Sequence, residues 1–142
     1  MAPPERTPQA APLIACCNSS EHVVQLLADY LRMDGFRVVT HVAPTYAGVA
    51  PTVAFLTSAQ PQACIYAVSL PYAASWAIFQ QVRAAVPGCA WVVMTTNKQA
   101  LDAVVGPTET LEIWGTPFDL DAVVGSVRRV LAGTAPHAGG CA

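Results

Sequence analysis

The sequence predicts a doubly wound α/β domain: a five-stranded parallel sheet of order 2-1-3-4-5 with helices on both faces. Three observations carry that expectation. Short apolar runs alternate with stretches of helical periodicity over residues 12–133, five times in succession. Polar capping residues or Pro and Gly punctuate the boundaries. Strict βα alternation requires right-handed crossovers, and those place helices on both sides of the sheet. No internal repeat is visible.

Each element follows from local chemistry. Residues 12–17 are a continuous apolar run, as expected of a strand buried on both faces. Asn18 or a following serine can cap the next helix, with Glu21 three residues after Asn18 in capping-box spacing. Val23, Leu26, Leu27, Tyr30 and Leu31 then recur at helical intervals, and Gly35 ends the helix. Residues 37–42 are a second strand, 43–51 a loop containing Pro and Gly, and 53–59 a short helix. A third strand spans 63–70, where Pro71 stops it. Residues 74–86 form a helix with Trp76, Phe79, Val82 and Val86 on one face, closed by Pro87-Gly88. The fourth strand is 90–95. Asn97 caps a helix carrying Leu101, Val104 and Val105. The fifth strand is 110–114, and Asp119 caps a last helix with Leu120, Val123, Val124, Val127 and Leu131 inside. Residues 1–11 and 134–142 are rich in Pro, Ala and Gly and are expected to be disordered tails.

Composition narrows the function. Of 142 residues, 54% are hydrophobic and only 11% charged, and the net charge is −2. Only Arg128-Arg129 approaches a basic stripe, which argues against nucleic-acid binding. No apolar run is long enough to span a membrane. The N-terminus lacks the apolar stretch of a signal peptide, so the expected location is cytoplasmic. So few charges either mark a surface covered by a partner or another copy, or reflect a bias toward Ala and Val; both readings stay open. The five cysteines (Cys16, Cys17, Cys64, Cys89 and Cys141) form no C-x-x-C pair and are expected to be mostly buried, inert thiols. The three histidines have no ligand spacing, so no metal site and no cofactor are expected.

Three segments together resemble the receiver domain of response regulators (CheY-like). Residues 13–39 give a strand, polar turn, amphipathic helix and a Gly-aromatic-Arg-Val-Val tail. Residues 61–83 read PQACIYAVSLPYAASWAIFQQVR, and 114–131 read WGTPFDLDAVVGSVRRVL. Receivers typically have a strand ending at a phosphoryl-accepting Asp, a Leu-Pro a few residues later, and a Lys-Pro-Phe before the last helix. The resemblance covers about residues 12–132. It places the Mg²⁺-holding carboxylates on Asn18 and Ser19, the phosphoryl acceptor on Ala67, the hydroxyl residue on Thr95 or Thr96, and the Lys on Thr116. A hard cation needs anionic oxygens, and acyl phosphate needs a carboxylate nucleophile; these positions offer neither. No slip of register supplies one, because no Asp or Glu occurs between Asp34 and Asp102.

The resemblance therefore implies a pseudo-receiver: a stand-alone, phosphorylation-independent signalling module that acts through protein contacts and is not an enzyme. Receivers dimerise or dock effectors through their fourth helix, fifth strand and fifth helix, about residues 97–131 here. Trp114, Arg128 and Arg129 are the candidate interface residues, and a homodimer is the expected assembly. The switch aromatic of the fifth strand falls near Ile113. Trp114 is either an exposed anchor or a ring packed under the last helix. The alternative function is a sensor of a small anion or phosphorylated metabolite, with Ser19, Ser20, Thr96 and Lys98 as candidate ligands at a helix N-terminus. Against it stands the plain reading of these residues as caps and turns. Ser19 or Ser69 as a hydrolase nucleophile lacks both an acid partner for His22 and a G-x-S-x-G elbow.

Overall fold

A computed structural model describes residues 11–43, 48–106, 111–115 and 118–133. The chain runs β1(Leu13–Asn18), α1(Glu21–Met33), β2(Arg37–Val42), α2(Ala50–Ala59), β3(Ala63–Ala67), α3(Tyr72–Ala85), β4(Ala90–Thr95), α4(Lys98–Val105), β5(Glu112–Gly115) and α5(Leu120–Gly133). The sheet has the predicted order β2-β1-β3-β4-β5, and every pairing is parallel.

Alternation along β1 divides the interior in two. Ile14 and Cys16 join Val24, Leu27 and Leu31 of α1 and Val123 and Val127 of α5 in one core. Ala15 and Cys17 join Leu56 of α2, Phe79 and Val82 of α3 and Leu101 of α4 in the other. Two helices thus cover one face and three cover the other, as the period-2 pattern of a strand buried on both sides demands. Phe79, fully buried, anchors the second core among Tyr66, Trp76 and Trp91, with ring centroids 5.1, 5.0 and 5.3 Å away.

Several boundaries differ from the sequence expectation. α2 starts at Ala50, with Pro51 inside its first turn, where the missing N–H has no intrahelical partner to lose. α3 starts at Tyr72, before the expected 74. β3 stops at Ala67, short of 70: Val68 N still donates to Met94 O, but Ser69 N turns to Ser75 Oγ. β5 ends at Gly115, one residue late. The α1 cap is Ser20, whose Oγ accepts from Val23 N, while Asn18 Oδ1 accepts from Ser20 N; the Asn18–Glu21 capping box does not form. Asp119 accepts from Asp121 N at the start of α5, as expected of a cap. The predicted tails fall almost wholly outside the described residues.

Candidate functional site

The C-terminal ends of β1, β2 and β3 open onto a cavity of about 110 Å³, in the usual ligand position of a doubly wound sheet. Asn18 and Ser19 line it from the end of β1, His41 and Ala43 from β2 and its exit, and Tyr66 and Ala67 from β3. Ser69, Leu70, Pro71, Ser75 and Ile78 close it from the β3–α3 turn and α3, with Thr52 of α2 opposite. No Asp, Glu, Lys or Arg occurs among its described lining residues. Nor does any group of three or more His, Cys, Asp or Glu assemble a metal site among the described residues.

The residues singled out from the sequence divide in space. Asn18, Ser19 and Ala67 meet at the cavity. Thr95 and Thr96 are not among its described lining residues. Thr95 is buried at the end of β4, with its Oγ1 3.4 Å from Asn97 N; the Thr96 hydroxyl lies 2.9 Å from that of Tyr72. Thr116 lies outside the described residues. Of the candidate anion ligands, Ser20 is occupied as the α1 cap and Lys98 Nζ is 2.7 Å from Asp102 Oδ2. The first turn of α1 also carries Glu21, which offsets the positive end of the helix.

Among the lining residues that escaped the sequence reading are His41, Thr52 and Tyr66. His41 Nε2 is 3.3 Å from Thr52 Oγ1, and its ring stacks on Phe55 at 4.8 Å. Burial lowers the His41 pKa, which favours the neutral imidazole. Tyr66 also lines the cavity, and burial raises its hydroxyl pKa to about 12. The signal for His41 was its place near the end of β2, in register with Cys17, but register is a property of the folded sheet.

The candidate interface residues also diverge. Trp114 is half-buried against the α5 side of the sheet, and its Nε1 donates to Ser126 Oγ at 2.5 Å. Ser126 Oγ donates to Glu112 Oε1 at 2.6 Å, and Arg129 grips both Glu112 oxygens at 3.0 Å. The Arg129 hydrogen bonds hold the Glu112 pKa below its ordinary value. Arg128 points the other way, pairing with Asp34 at the end of α1 and lying 5.3 Å over the Phe36 ring. Only Trp114 and Arg129 therefore share the β5 side of α5.

Solved structures resemble this arrangement over nearly their whole length. A response regulator from Thermotoga maritima aligns with TM-score 0.63 at 17% identity, over 87% of this chain and 99% of its own. The fold is that of the response-regulator receiver domains. A sensor protein from Polaromonas sp. JS666 shares this receiver fold with TM-score 0.69 and 17% identity, over 87% and 98% of the two chains. Chemotaxis protein CheY4 from Vibrio cholerae does so at 0.62 and 20%, over 85% and 99%. No protein-family model matches the chain, and no curated protein matches it significantly. Within the receiver fold, the third strand of this chain ends on an alanine and the adjoining crevice is uncharged among its described residues. No described helix is long and apolar enough to cross a membrane.

Proposed function

We propose that this chain is a pseudo-receiver: a signalling module that works without phosphorylation and acts by contact with another protein or a second copy of itself. The observation that carries this reading is the chemistry at the end of β3. Ala67 has no nucleophile, and the cavity around it offers no carboxylate among its described residues. A divalent cation there would exchange water for neutral hydroxyl and amide groups alone. Incubation with acetyl phosphate and Mg²⁺ is expected to leave the intact mass unchanged, and beryllofluoride with Mg²⁺ to leave the amide NMR spectrum unchanged. A phosphoryl adduct, or shifts confined to residues around Ala67, would overturn the reading.

The contact surface we assign is the one formed by α4, β5 and α5. β5 is an edge strand of four residues, and edge strands leave backbone groups open to pairing. Beside it α4 exposes Val104, and Ile113 and Trp114 are half-buried. Self-association through this face predicts a dimer in sedimentation equilibrium that Val104→Lys weakens. A monomer at every concentration would remove self-association and leave a different protein as the partner. The anion-sensor reading gains nothing from the geometry, because Lys98 is engaged and the cavity carries no cation among its described residues.

A further inference from the structure

We propose that Cys17 and Cys64 form a two-thiol site for a soft, thiophilic centre with two valences to fill, typified by a monosubstituted trivalent arsenical. Cys17 lies on β1 and Cys64 on β3. Ala15 pairs with Cys64 and Cys17 with Tyr66, so the two cysteines are diagonal neighbours on one face of the sheet. Cys64 Sγ donates to Cys17 Sγ at 3.7 Å. Diagonal neighbours on adjacent strands have Cα atoms about 7–8 Å apart. A disulfide spans only about 4.4–6.8 Å, so a direct sulfur–sulfur bond would require the strands to shift. A single bridging atom does not. Two bonds of about 2.3 Å meeting at the roughly 100° angle of a pyramidal, lone-pair-bearing arsenic hold their sulfurs about 3.5 Å apart, so a small side-chain rotation closes the 3.7 Å present.

The surroundings choose the class of ligand. Cys64 is fully buried among Leu56, Phe79 and Val93, while Cys17 is 6% exposed and forms part of the cavity wall. A ligand therefore arrives through the cavity, meets Cys17 first, and reaches Cys64 directly behind it. Zinc would need four ligands, and no third metal-binding side chain joins the pair among the described residues. A monosubstituted arsenic(III) is satisfied by two thiolates and a carbon, and the adduct is neutral, as an apolar interior requires. From the hydrated form R–As(OH)₂, two As–S bonds form and two As–O bonds break. The two thiol protons leave with the oxygens as two waters, and nothing is oxidised or reduced. Ala74 and Ile78, on the same cavity, supply an apolar wall for the organic substituent.

The test uses the reduced full chain with phenylarsine oxide. One arsenic per chain should bind with the loss of two titratable thiols, and excess ethanedithiol should reverse it. Cys17→Ala and Cys64→Ala should each abolish the bridged adduct. Cys16→Ala, Cys89→Ala and Cys141→Ala should keep it, because Cys16 points into the opposite core. A wild-type chain that takes up no arsenic, or an adduct that survives Cys64→Ala or vanishes with Cys16→Ala, would overturn the proposal. Should Cys64→Ala fail to fold, peptide mapping of the wild-type adduct decides the matter: the bridge must join the peptides carrying Cys17 and Cys64, and any other pair refutes it.

Discussion

Ser126 is fully buried and serves three partners at once: it accepts from Trp114 and Arg129 and donates to Glu112. Ser126→Ala would strip a hydrogen bond from the indole and one from the carboxylate, and we expect a loss of about 1–3 kcal/mol in urea unfolding. Glu112 adds a pH dependence of known sign. Its folded pKa lies below the ordinary 4.5, so its contribution is complete above that value and is lost as pH falls through the folded pKa. Stability of the wild type and of Glu112→Gln should therefore converge as the solution is acidified below pH 4.5. His41 has the same sign, because its pKa is lowered from 6.5 by burial: its share is present above 6.5 and fades below. A His41→Gln variant should lose that part of the pH slope. None of these linkages was visible in the sequence. Glu112 lies on β5, Ser126 and Arg129 lie three residues apart on α5, and only the packing of α5 on β5 brings the carboxylate to them.

Helix ends were the most legible parts of the chain where a side chain marks them. Asn97 caps α4 as expected, with its Oδ1 accepting from Ala100 N. Ser20→Ala and Asn97→Ala should each cost about 1 kcal/mol, measured by thermal or chemical unfolding. α2 was the hardest element to place, for a physical reason: it has no side-chain cap and carries Pro51 in its first turn. The period-3.6 signal that revealed α1 is also weak there, because apolar and small residues occur all around it. The strands were found by apolar content, and the β3 boundary failed because Val68 and Leu70 continue the apolar run after the ladder has ended. At the end of β5, Gly115 lies against the start of α4: a Cβ there would stand 2.9 Å from Lys98 Cβ. Gly115→Ala should push α4 outward and cost about 1–3 kcal/mol in chemical unfolding.

Across the whole molecule, the order of elements carried the topology. Five βα units leave few chain paths consistent with right-handed crossovers and two buried sheet faces, and the observed sheet follows one of them. The candidate site was legible only in part. The absence of acids between residues 34 and 102 is a property of the sequence, so the uncharged end of β3 could be inferred without coordinates. The grouping of Asn18, Ser19 and Ala67 followed from strand order. The separation of Thr96 and Lys98 from that group did not, because it depends on where α4 begins and which way its side chains turn. Global stability should depend most on the second core: Phe79→Ala, at the centre of the aromatic group, is expected to cost about 3–5 kcal/mol by chemical denaturation.

The three tryptophans give the molecule two separate optical reporters. Trp76 and Trp91 both touch Phe79 in a dry environment, whereas Trp114 sits across the sheet, half-exposed and hydrogen-bonded. Emission from the first pair should lie to the blue of emission from the third. Trp91 is, moreover, the strand partner of Cys64. A heavy atom lodged between the thiols would quench the blue component, and a protein docking on β5 would perturb the red one, so one emission spectrum tells the two events apart.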